Sequence, residues 1–64
     1  MALKLIPYHK MNVLIIEDLA EMRSSMKSML SAIGVQHTES VNNGEDALKK
    51  LRNNTYDLVF SDYE

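Results

Sequence analysis

NVLIIED, residues 12–18, holds four consecutive apolar residues, three of them β-branched, and then two acids. A strand with one wet face alternates apolar and polar residues, whereas a strand buried on both faces does not. The run reads as a central parallel strand. Glu17 and Asp18 mark where it leaves the core. A strand covered twice needs a layer on each side, and the remaining residues have to supply both.

From Ala20 to Ile33 the apolar positions are Met22, Met26, Met29, Leu30 and Ile33, a helical stripe about one-third of the circumference wide. Gly34 follows where a left-handed C-cap residue is wanted. VQHTESV, residues 35–41, alternates and carries β-branched residues, which fits a half-exposed edge strand. Asn42-Asn43-Gly44 is turn chemistry, with residues tolerant of positive φ. A second helix is expected from Glu45 to Arg52, buried along Ala47, Leu48 and Leu51. Glu45–Lys49 and Asp46–Lys50 are acid-before-base pairs at four-residue spacing, each worth about 0.2–0.5 kcal/mol. Asn53-Asn54 ends that helix, and Tyr56 to Ser61 reads as a third strand. Strands alternating with helices imply parallel βαβ units with right-handed crossovers.

Size and composition set the limits. Sixty-four residues allow one domain, with 45% hydrophobic and 25% charged residues. A chain of this length buries only about 60% of its unfolded surface. The net charge of −2 gives no electrostatic footprint for nucleic acid or an anionic membrane. The absence of cysteine removes disulfides and thiolate metal sites. No apolar run approaches the roughly 18 residues that span a bilayer. MALKLIPYHK, residues 1–10, lacks a sustained apolar core and a small-residue cleavage site, so it is a poor signal peptide. It is expected to be a loosely ordered extension, with the domain occupying residues 11–64, and the location is expected to be cytoplasmic.

Three acids fall at the carboxyl ends of the proposed strands: Glu17 and Asp18 after the first, Asp62 after the third. Parallel neighbours lie about 4.8 Å apart. A strand order of 2-1-3 therefore brings these carboxylates together at a topological switch point, the usual ligand site of an open α/β sheet. Crowded carboxylates stay ionised only if a cation compensates them. As hard oxygen donors they suit Mg²⁺. A carboxylate held beside such a metal can attack a phosphoryl group and form an aspartyl phosphate.

VLIIED, then an amphipathic helix, then NNGEDALKKL and YDLVFSD, together resemble the amino-terminal half of a response-regulator receiver domain across residues 11–64. The resemblance implies the amino-terminal βαβαβ part of a doubly wound, flavodoxin-like parallel sheet, whose full order is 2-1-3-4-5. It implies a phosphoacceptor at Asp62, fed by a histidine kinase or phosphotransfer protein. It also implies Mg²⁺ held by Glu17, Asp18, Asp62 and the backbone carbonyl of Glu64. A receiver catalyses only its own phosphorylation and dephosphorylation, so no ordinary enzyme is expected. The family's strands four and five, with their Ser/Thr and Lys, have no counterpart in these residues. That lack is expected to impair phosphorylation and switching.

Blander readings stand beside these. The acid pair can close a strand and cap a helix, and Asp62 can simply end a strand. The methionines read as core packing. His9 and His37 read as surface residues, and Lys49, Lys50 and Arg52 as a solvated helix face. An interaction module built on a half-receiver, without phosphorylation, is the alternative function. A Mg²⁺-dependent phosphatase is a third, although such enzymes generally carry a second Asp where this chain has Glu64. A half-sheet leaves its third strand as an edge, so a homo-oligomer through strand 56–62 and helix 20–33 is expected.

Overall fold

In a computed structural model, residues 7–61 are described, and the expectations placed on Asp62, Tyr63 and Glu64 lie outside them. Three strands, β1 (Asn12–Ile16), β2 (His37–Val41) and β3 (Leu58–Ser61), alternate with two helices, α1 (Ala20–Ala32) and α2 (Gly44–Asn53). The sheet is parallel with order β2-β1-β3. It is the α/β fragment that the sequence pattern implies, the amino-terminal half of a flavodoxin-like sheet.

β1 forms the core because both its faces are covered. Val13 and Ile15 meet Leu30 and Val35 on one face, with Tyr8, Met11 and Met26 packed around them. Leu14 and Ile16 meet Val41 and Ala47 on the other, beside Tyr56. Side chains alternate across a strand, so four apolar residues in a row serve two separate clusters. Val13, Leu14 and Ile15 have no exposed surface. A short turn, Tyr8–Lys10, precedes β1 and delivers Tyr8 to the first cluster.

Local chemistry sets the element ends, and here several expectations need correcting. Val35 does not belong to the second strand. Its N–H donates to the Leu30 carbonyl at 2.9 Å and the Gly34 N–H to Ser31 at 3.1 Å, closing α1. Gly34 takes φ 109°, the left-handed value that such an ending requires. Asn43 and Gly44 do not form a positive-φ turn. Asn43 is the N-cap of α2, its Oδ1 accepting the Asp46 N–H at 2.8 Å, while its Nδ2 donates to Asp46 Oδ2 at 3.2 Å. Such a cap is worth about 1 kcal/mol. Tyr56 lies before β3 rather than in it. Asp57 instead joins β3 to β1, accepting the Asn12 N–H on Oδ2 and donating its own N–H to the Asn12 carbonyl, each at 2.8 Å.

The helical stripes are less buried than their spacing implies. In α1 only Leu30 is buried, while Met29 is 69% exposed and Met22 and Ile33 are also open. In α2 Ala47 is buried, but Leu48 and Leu51 are exposed. Both helices lie over β1 and β2. β3 is only partly covered, with Phe60 beside Met26, Met29 and Leu30 of α1, leaving Leu58, Val59 and Phe60 at 39%, 40% and 37% exposure.

Leu14→Ala is expected to destabilise the domain by about 2–5 kcal/mol through lost burial and the residual cavity. Stability of a chain this small is at most of that order. Urea unfolding followed by far-UV circular dichroism should therefore show little cooperative transition in the variant, and an unchanged midpoint would contradict the assignment of β1 as the core.

Candidate functional site

The site is built where β1 ends. The last rung of the β1–β2 ladder pairs Ile16 with Val41, and the Glu17 N–H continues it, donating to the Val41 carbonyl at 3.0 Å. That bond keeps Glu17 within the sheet, and the residue is buried, with 2% exposure. Glu17 Oε1 accepts the Leu19 N–H at 3.2 Å. Asp18 follows in an exposed bend. The two carboxylates thus differ in setting, one enclosed at the strand tip and one facing solvent.

The capping alternative for these acids does not hold. Leu19 is the N-cap of α1, and no side chain caps the helix. The Oε1 contact of Glu17 is to the N–H of Leu19, ahead of the helical donors.

On the other side of β1, the β1–β3 register ends with Ile16 opposite Ser61. β1 and β3 therefore end side by side; in the sequence Glu17-Asp18 follows the first and Asp62-Tyr63-Glu64 the second. The described residues supply two acids at this edge and contain no cluster of three metal-ligating side chains. Asp62 and Glu64, predicted as the phosphoacceptor and as a carbonyl ligand, lie outside the described residues. The acids that are described fit a hard divalent cation: oxygen donors, one of them open to solvent, with no thiolate or imidazole beside them.

Arg23 is the residue that sequence reasoning missed. Its Nη1 donates to the Glu17 carbonyl at 2.8 Å and to the Asp18 carbonyl at 3.2 Å. A cation in the second turn of a helix that starts just after an acid pair was the available signal. His9 and His37 are exposed, as expected of surface histidines.

A second polar cluster lies along β2. The Tyr56 hydroxyl donates to Glu39 Oε2 at 2.6 Å, and Lys50 Nζ stands 3.2 Å from the same oxygen. Lys50 therefore turns to Glu39 rather than to Asp46, and neither expected pair within α2 forms among the described residues. Partial burial, and then the bond to Glu39, push the Tyr56 phenol up to about 12. The same bond, followed by Lys50, holds the Glu39 carboxyl below its usual 4.5. An open cleft of about 520 Å³ runs beside this cluster, lined by Arg23, Ser40, Asn42, Asp46, Lys49 and Lys50 among others. Of the residues that line it, Arg23 is the one that contacts the acid pair's carbonyls, and Val41 stands among its mostly polar side chains.

The family model described as the response regulator receiver domain matches residues 13–64. The chain belongs to that family. It is 33% identical over 55 residues to a gliding motility regulatory protein of Myxococcus xanthus, covering 86% of this chain and 7% of that protein. It is 32% identical over 53 residues to chemotaxis protein CheY-3 of Vibrio cholerae, covering 83% of this chain and 41% of that one. The chain spans less than half the length of each of these relatives. No solved structure gives a significant match. With the family shown, the strand order is that of the amino-terminal half of a receiver, and the phosphatase reading drops away.

The Glu39–Tyr56 bond should appear in the pH dependence of stability. Glu39, lowered in the folded state, contributes above the unfolded value of 4.5 and loses its contribution as pH falls through its folded value. Tyr56, raised in the folded state, contributes below the unfolded value of 10.0 and loses its contribution as pH rises toward about 12. Urea midpoints measured against pH should fall at both ends in the parent. In Tyr56→Phe the alkaline limb should flatten, and the Glu39 titration followed by NMR should move up toward 4.5.

Proposed function

We propose that this receiver segment works by accepting a phosphoryl group on Asp62 from a phosphohistidine of a histidine kinase or phosphotransfer protein, in the cytoplasm. The observation that carries this reading is the shared edge at which β1 ends in Glu17-Asp18 and β3 ends opposite Ile16, one residue before Asp62. In the transfer, an Asp62 carboxylate oxygen forms the bond to phosphorus while the phosphorus–nitrogen bond to the donor imidazole breaks. The imidazole keeps the electron pair and takes up a proton. Glu17 and Asp18, with Asp62 and the Glu64 carbonyl, would hold Mg²⁺, which offsets negative charge on the phosphoryl oxygens when bound. Glu17 fixes the strand tip through its backbone bond to β2, and Asp18 offers its carboxylate to solvent. The segment is a phosphoacceptor that modifies itself and not a turnover enzyme. No helix among the described residues is long and apolar enough to cross a membrane.

Incubating a protein that contains the intact receiver with a small phosphodonor and Mg²⁺ should add one phosphoryl group, lost on Asp62→Asn. Persistence of the label in that variant would refute the assignment. Mg²⁺ should also change tyrosine fluorescence, since Tyr63 adjoins Asp62 in the chain.

The exposed row on β3 favours a second statement, about association. Leu58, Val59 and Phe60 flank a strand whose outer edge has no partner among the described residues, and Met29 and Ile33 open the adjoining face of α1. A surface of this kind is covered in a stable protein. In the 64 residues prepared alone, a second copy is the available cover, and sedimentation equilibrium should report a dimer or larger species. A compact, cooperatively folded monomer would sink the proposal.

A further inference from the structure

Arg23 stands five residues after Asp18, inside α1, and its backbone is fixed there by its N–H bond to the Leu19 carbonyl at 3.0 Å. From that anchor its side chain returns to the loop. One nitrogen, Nη1, meets two consecutive carbonyls, of Glu17 at 2.8 Å and of Asp18 at 3.2 Å. Two successive carbonyls can face one donor only if both peptide planes are turned toward it, which removes most of the freedom of the β1–α1 connection. Glu17 is further held by its N–H bond to Val41 and by its Oε1 contact with the Leu19 N–H. The loop is thus tied to β2 on one side and to α1 on the other. Asp18 itself has no side-chain bond to the fold among the described residues; the Arg23 contact to its carbonyl fixes its peptide plane, and with it the direction in which its Cα–Cβ bond leaves the main chain.

We propose that Arg23 is a positioning residue for the acid pair: by bridging the carbonyls of Glu17 and Asp18 it presents their carboxylates, preset, to a divalent cation. This rests on the receiver reading above. Charge alone makes the opposite demand. A guanidinium beside two acids repels an incoming Mg²⁺, so if its charge dominated, removing it would tighten binding. If orientation dominates, removing it weakens binding, because the loop must then be ordered at the moment the metal binds. Partners that orient metal ligands typically change affinity by about 10–100-fold when lost.

The test measures Mg²⁺ affinity of the parent, Arg23→Ala and Arg23→Lys by NMR titration of the Glu17 and Asp18 amides, and hydrogen exchange of the Leu19 amide without metal. Arg23→Ala is expected to weaken Mg²⁺ binding about tenfold and to speed Leu19 exchange, while the Leu30 amide in the core keeps its protection. Arg23→Lys, whose ammonium can still reach toward the carbonyls, is expected to recover part of both effects and serves as the reading if the alanine variant fails to fold. Unchanged or tighter Mg²⁺ binding in a folded variant overturns the proposal, as does unchanged Leu19 exchange. A parent chain that gives no Mg²⁺ response overturns the metal reading instead, and the metal-free exchange of Leu19 then judges the clamp by itself.

Discussion

The double burial of β1 is the constraint on which the other features depend. Val13 and Ile15 point to one face and Leu14 and Ile16 to the other, so neither α1 nor α2 alone can shelter the strand. Right-handed crossovers make both layers available from one chain only if the path reverses, moving from β1 out to β2 and then back across to β3. The same reversal sets the carboxyl end of β3 beside that of β1. Hydrophobic cover of β1 and the shared end of β1 and β3 are therefore one consequence of strand order.

Much of this was legible because the relevant signals are local. An unbroken apolar run, a helical spacing ended by glycine, and two acids at a strand tip are all read within a few residues. The errors came where a residue's role is decided by a partner. Val35 is β-branched and buried, which suits a strand, yet its N–H closes α1. Asn43 has turn chemistry, yet its side chain is taken by the Asp46 N–H. The stripes of α1 and α2 state what each helix can bury. What is actually buried depends on how much sheet lies beneath, and both helices lie mainly over β1 and β2.

The site was legible to the same extent and for the same reason. Glu17 and Asp18 announce themselves by the change of pattern after Ile16, and their burial differs because only Glu17 continues the ladder to β2. Arg23 was not legible, since its partners are main-chain carbonyls and these look alike in every sequence. Lys50 was misread for a related reason. Its spacing to Asp46 suits an ion pair within α2, but Asp46 is engaged at the cap and Glu39 is offered by the neighbouring strand together with Tyr56.

β3 ties the chemistry to association. Among the described residues it is held on one side only, by β1 and by the paired bonds between Asp57 and Asn12 at its start. Its four residues are exposed, and the next residue in the chain is Asp62. A strand paired along one edge has half of its ladder hydrogen-bonding groups unused on the other. Whatever covers the outer edge of β3, whether further receiver sheet or a second copy, therefore also completes the support of the strand that precedes Asp62 in the sequence. The acid pair has its own support through Val41 and Arg23 and does not need that cover. The end of β1 is thus braced from within these residues, whereas the outer edge of β3 depends on what lies against it.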